Sequence, residues 1–158
     1  MPPGLFECTN IQKMTKAFAI GYERIVAWGD LLDQVNVFPV HDSDTGKNLK
    51  ISLAPFKQIK PTHGGCNGAG KPSPGSSFDQ GPFDKLIDNL SRSAVGNSGN
   101  IAAAFFSGFL AHPLPISFPN AARQGLNMAM NAVADPRPGT MLDLFESQAR
   151  FFNDKASD

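Results

Sequence analysis

Apolar residues recur at steps of three and four through most of the chain, the spacing of helices that bury one face. Ile11, Met14, Phe18, Tyr22 and Ile25 form a first stripe, with Thr9 and Asn10 as candidate caps at its start. Gly29-Asp30 does not clearly stop this helix, and Leu31-Leu32 can extend it. A short helix is expected over Leu49 to Leu53, cut off by Pro55. Phe83, Leu86, Ile87 and Leu90 make another stripe, with Pro82 suited to a first helical position. Three more helices are expected. One runs from Ser98 to about Ala111, one starts near Asn120 with Ala122, Leu126, Ala129 and Val133, and the last carries Met141, Leu144, Phe145, Ala149 and Phe152.

Strand signals are poor. Only Val35 to Phe38 alternates, and Pro39 makes that run an extended approach to a turn. The pattern therefore predicts an all-α protein of about six helices. Each apolar stripe needs a partner face, so the expected packing is a bundle or a closed ring of antiparallel helices.

At 158 residues the chain is expected to form one domain with a sizeable core, interrupted by a different stretch at 61–82. Ten of those 22 residues are Gly or Pro, the composition of a flexible connection. Within it, Gly65 to Lys71 fits seven positions of a phosphate-binding P-loop, but Pro72 stands where Ser or Thr must hold Mg²⁺. Prolines and glycines flank the run where a strand and a helix are required, so it is read as linker.

Charge excludes further classes. Fourteen basic residues balance fourteen acidic ones, which argues against a broad basic surface for nucleic acid. No apolar run approaches the roughly 20 residues of a membrane span, and no secretory leader is visible. Cys8 and Cys66 supply neither a disulfide framework nor metal-ligand spacing. The expectation is a cytoplasmic protein that binds neither membrane nor nucleic acid.

Candidate chemistry lies in three segments. In Asn36 to Asn48, Asp42 and Asp44 stand two residues apart in a tight, small-residue turn, a pattern that can converge on Mg²⁺. Asn36 could add a neutral oxygen, Asn48 could ligate or bond a phosphate, and Gly46 permits close backbone approach. The same residues also suit a solvated loop of Asx-turns. An EF-hand register fails, because its third oxygen position falls on Gly46 and its glycine on Lys47. Gly96-Asn97-Ser98-Gly99 opens a Phe-rich helix, whose N-terminal amides suit a phosphate, although Ser98 also suits an ordinary cap. Arg137 to Met141 likewise opens a helix with a glycine and a hydroxyl. His41 reads as a turn residue, and His63 and His112 as loop positions.

In order and approximate spacing these segments resemble the nucleotide-binding DhaL-type domain of the dihydroxyacetone kinase family. Asn-Val-Phe-Pro-Val and Asp-x-Asp-Thr-Gly are most similar to the branch that forms the N-terminal domain of bacterial fatty acid kinase. The resemblance covers about Leu5 to the C-terminus, apart from the Gly/Pro-rich loop. It implies an antiparallel eight-helix barrel, here incomplete, whose loops hold ATP or ADP through two Mg²⁺ ions. Asp42 and Asp44 would be the metal ligands and catalytic acids, with Asn36 near a third ligand position. Thr45, Gly46, Asn48, Asn97, Ser98 and Gly99 would face the phosphates, and Thr140 and Met141 the base or ribose. The implied activity is phosphoryl transfer to dihydroxyacetone or a fatty acid presented by a partner subunit, and a homodimer is left open. Three departures stand out: Ser43 in place of a usual glycine, Lys47 in place of a smaller residue, and an end after the Met141–Phe152 helix. The alternative is a non-catalytic nucleotide-binding or scaffolding module.

Overall fold

The structure is a computed structural model that describes residues 3–36, 43–59, 83–111 and 116–157. Among the described residues it is all-α: α1 (Pro3–Val35), α2 (Thr45–Ser52), α3 (Asp84–Ser93), α4 (Gly96–Leu110), α5 (Phe118–Asn131) and α6 (Met141–Ser157), with a 3₁₀ turn at Ala54–Gln58. None of these helices is long and apolar enough to cross a membrane. Asp42, His41, Cys66, Pro82, His63, His112 and the stretch at 61–82 lie outside the described residues.

Several boundaries differ from the sequence expectation. The short helix starts at Thr45, four residues before Leu49, so that Thr45 and Gly46 form its first turn and not a loop. Helices α4 and α5 begin at Gly96 and Phe118, each two residues earlier than expected. Thr9 and Asn10 do not start α1, which runs through both and back to Pro3. A hydroxyl or amide beside an apolar stripe marks a permitted start, not a required one. Pro55 does not simply end a helix either. Leu53 closes α2, and Pro55 occupies the first turn of the 3₁₀ segment, where its missing N–H removes no bond.

The first stripe continues further than its bulky residues indicate. Ile11, Met14, Phe18, Tyr22 and Ile25 all face the core, and Gly29 and Leu32 follow in the same register. Gly29 is the one position on that face without a side chain, and α2 crosses there.

The main core lies between α4, α5 and α6. Phe109 meets Phe118 while Phe105 packs on Gly125, so α4 and α5 run antiparallel. Phe118, at the start of α5, meets Phe152 near the end of α6, so those two are antiparallel as well. It follows that α4 and α6 begin at the same end of the bundle. Phe105 and Phe145 stack with ring centroids 3.9 Å apart, almost parallel. Phe18 of α1 and Phe56 of the 3₁₀ turn join this aromatic cluster through Phe106. Burying each such ring stabilises the fold by roughly 1.5–3 kcal/mol. The ring of helices is not closed among the described residues: α1 neighbours α2 and the 3₁₀ turn, whereas α6 neighbours α5 and α4.

Candidate functional site

The candidate site forms where α1, α2 and α4 meet, and small residues allow the meeting. Gly46, in the first turn of α2, lies directly on the backbone of Gly29, so that a Cβ at position 46 would overlap the Gly29 carbonyl. Next to this crossing, Lys50 lies over Gly29 and reaches Asp30 Oδ1 at 2.8 Å. That hydrogen bond, and then the charge of Lys50, hold the Asp30 carboxyl below its ordinary pKa. The pair is surface-exposed at Asp30, so it helps to orient α2 more than it stabilises the fold. Tyr22 donates to the Lys50 carbonyl at 3.3 Å and ties the same two helices together.

The start of α4 approaches α2 from the other side. Gly96 adopts φ +64, and its Cα faces the Asn48 side chain so closely that no Cβ would fit. Gly99 sits in the same way against the Ser52 hydroxyl. Ser52 is fully buried and accepts the Val95 amide at 3.0 Å, satisfying one N–H just ahead of α4. Ser98 Oγ lies 3.5 Å from the Thr45 carbonyl, to which it donates. Thus the Asp-Thr-Gly segment and the Gly-Asn-Ser-Gly segment, about fifty residues apart in sequence, share one junction.

Within it the side chains have different surroundings. Asp44 and Thr45 are half-buried, Gly46, Asn48 and Gly99 are buried, Ser98 is half-buried, and Asn97 is exposed. Asn36 is half-buried just past the end of α1. Ser43, exposed, has φ +52, a left-handed conformation in which glycine carries no Cβ penalty. This gives a physical reason for glycine to be usual at that position in the resembled family.

Asp33 is the residue that the sequence reading missed. Its Oδ1 accepts the Gly46 amide at 2.5 Å and the Lys47 amide at 3.3 Å, although it belongs to the last turns of α1. Asp44, at the N-cap position of α2, makes no capping bond with its own side chain. Only the Gly29–Gly46 crossing brings Asp33 to these amides, and no local spacing advertises it.

The third segment closes mostly upon itself. Gly139 has φ +80 and donates its amide to Asp143 Oδ2 at 2.6 Å. Thr140 Oγ1 bonds the Arg137 carbonyl at 2.9 Å and faces the Leu142 amide at 3.4 Å. This is a reciprocal cap on α6, close in form to a capping box. Thr140 and Met141 are half-buried, with Met141 packed on the core. The two antiparallel pairings place this cap at the same end of the bundle as the start of α4.

The donor chemistry around α2 suits a hard cation. Mg²⁺ needs one or two carboxylates, its other positions going to water and phosphate oxygens. Asp44 supplies a carboxylate not engaged in capping, and Asn36 a carboxamide oxygen near the end of the preceding helix. The described residues contain no cluster of three or more His, Cys, Asp or Glu placed to hold a metal by themselves.

No family model matches the chain, and no solved structure does. Among curated proteins it is similar to Protein YloV of Bacillus subtilis, 30% identical over 126 residues, covering 75% of this chain and 21% of that protein. An uncharacterized protein of Staphylococcus haemolyticus is 30% identical over 142 residues, covering 82% of this chain and 22% of the relative. The chain thus spans about a fifth of the length of the curated relatives it matches.

Proposed function

We propose that this chain is a Mg²⁺-dependent ATP- or ADP-binding unit of the DhaL type, serving phosphoryl transfer to a substrate held by a separate protein. The observation that carries this reading is the convergence of the Asp-Thr-Gly and Gly-Asn-Ser-Gly segments at one junction, by way of Ser98–Thr45, Gly96–Asn48 and Gly99–Ser52. When bound, Mg²⁺ would neutralise charge on the transferring phosphoryl group, the main requirement of this chemistry. Asp44 and Asp42, with Asn36, would hold it. Ser98 and Asn97, at the start of α4, would place a hydroxyl, a carboxamide and helix N-terminal amides toward phosphate oxygens. Thr140 and Met141 would border the nucleoside from the matching end of α6. The substrate class, dihydroxyacetone or a fatty acid, rests on the sequence resemblance, as does the partner that presents it.

Isothermal titration of ADP and ATP, with and without Mg²⁺, tests this reading. Binding should require Mg²⁺ and weaken at least tenfold in Asp44→Ala. A folded native chain that binds neither nucleotide ends the proposal. One observation favours the second reading, a non-catalytic nucleotide-binding or scaffolding module: the 137–143 segment already uses its own polar groups to cap α6. Phosphoryl transfer that disappears in Asp44→Ala would exclude that module.

A further inference from the structure

We propose that Asp33 is a positioning residue that caps α2 in place of Asp44 and thereby leaves the Asp44 carboxylate to a divalent cation. The inference builds on the nucleotide-site reading above. An aspartate at an N-cap ordinarily accepts the amide two or three residues ahead, which here means Gly46 or Lys47. Both amides point instead to Asp33 Oδ1. The Asp44 backbone, at φ −126 and ψ 4, lies outside the extended conformation that such a cap usually adopts. Asp33 stands one helical turn beyond Gly29, and the buried Gly29–Gly46 crossing lays the first turn of α2 over the end of α1. Two carboxylates therefore compete for one pair of donors, and the one carried by the long helix holds them.

The arrangement has an electrostatic consequence. The positive end of α2 is already met by a carboxylate, so a bare phosphate would have to displace Asp33 to reach those amides. A nucleotide phosphate is better received through a cation on Asp44 than by the helix terminus directly. This makes affinity depend on the divalent ion at the α2 side of the site.

A double-mutant cycle separates the cap exchange from cation binding. Urea unfolding would be measured in EDTA on the native chain, Asp33→Ala, Asp44→Ala and the double variant. Asp44→Ala should raise the unfolding constant less than twofold in the native chain. In the Asp33→Ala background, where Asp44 can take over the cap, it should raise that constant about fivefold, the typical worth of a cap. Equal effects in both backgrounds would overturn the proposal. Mn²⁺ titration on the same proteins should then show about tenfold weaker binding in Asp33→Ala, with Asp33→Asn, which keeps the acceptor, within threefold of native. Equal losses in Asp33→Asn and Asp33→Ala would make Asp33 a direct ligand or charge and also overturn it. A native chain that binds no Mn²⁺ would remove the nucleotide reading and the cation half of this proposal, while the urea cycle alone would decide the cap exchange.

Discussion

The α1–α2–α4 junction and the α4–α5–α6 core are both tightly packed, but the junction packs through glycine contacts and the core mainly through large side chains. At the junction, helices meet because side chains are missing: Gly29 on Gly46, Gly96 on Asn48, Gly99 on Ser52. In the core, Phe105, Phe109, Phe145 and Leu142 fill the space, although α4 and α5 also approach through glycine, since a Cβ on Gly125 would lie 2.6 Å from the Phe105 carbonyl oxygen. The junction positions polar groups by short backbone distances. The core buries Phe105, Phe109, Leu110, Leu142 and Phe145, and each contributes hydrophobic stabilisation. On the proposed reading, stability and ligand geometry fall to different parts of the chain, and substitutions should separate them.

The largest effect expected is on the core. Phe105→Ala removes the ring stacked on Phe145 and should cost about 4 kcal/mol by urea denaturation. The folded fraction should keep Mg²⁺–ADP affinity within threefold. A tenfold loss of affinity would show that the two regions are not separable. Gly46→Ala should have the reverse profile. Its Cβ meets the Gly29 carbonyl, and backbone cannot yield as a flexible side chain can, so α1 and α2 must part. A cost of about 2 kcal/mol is expected, together with more than tenfold weaker nucleotide binding in the same titration. The smallest change sharpens the contrast within α4 itself. The buried Ser107 hydroxyl has no hydrogen-bond partner among the described residues. Ser107→Ala should therefore raise stability by about 1 kcal/mol with no change in binding. A destabilised Ser107→Ala would point to a partner that the hydroxyl does have in solution.

The fold was largely legible because each helix announces itself by a buried stripe. The α6 stripe, Leu142, Phe145, Ala149 and Phe152, needs only the period to be read. What escaped depends on tertiary approach. Gly29 looks like a weak helix breaker in sequence, yet it is the seat of α2. Asp33 looks like a surface acid until α2 is folded back over it. The three motif segments were visible from their residue types, and two of them indeed adjoin. That Asp33 would claim the Gly46 amide could not be seen, because it is settled by where the backbone turns. Thr140 and Asp143, by contrast, already stand at capping-box spacing in the sequence. Ser43 belongs with Asp33, since its positive φ is a property of the turn and not of serine.

The aromatic distribution also determines what light can report about this protein. Thirteen phenylalanines accompany a single tryptophan and a single tyrosine. Trp28 is 61% exposed on α1, next to Gly29 and away from the phenylalanine cluster. Its fluorescence already samples water in the native state, so loss of the Phe core will change it little. The fine structure of near-ultraviolet circular dichroism, dominated by the packed phenylalanines, will follow unfolding instead. Trp28 is left as a native reporter one residue from the α1–α2 crossing, sensitive to whatever approaches that side of the molecule.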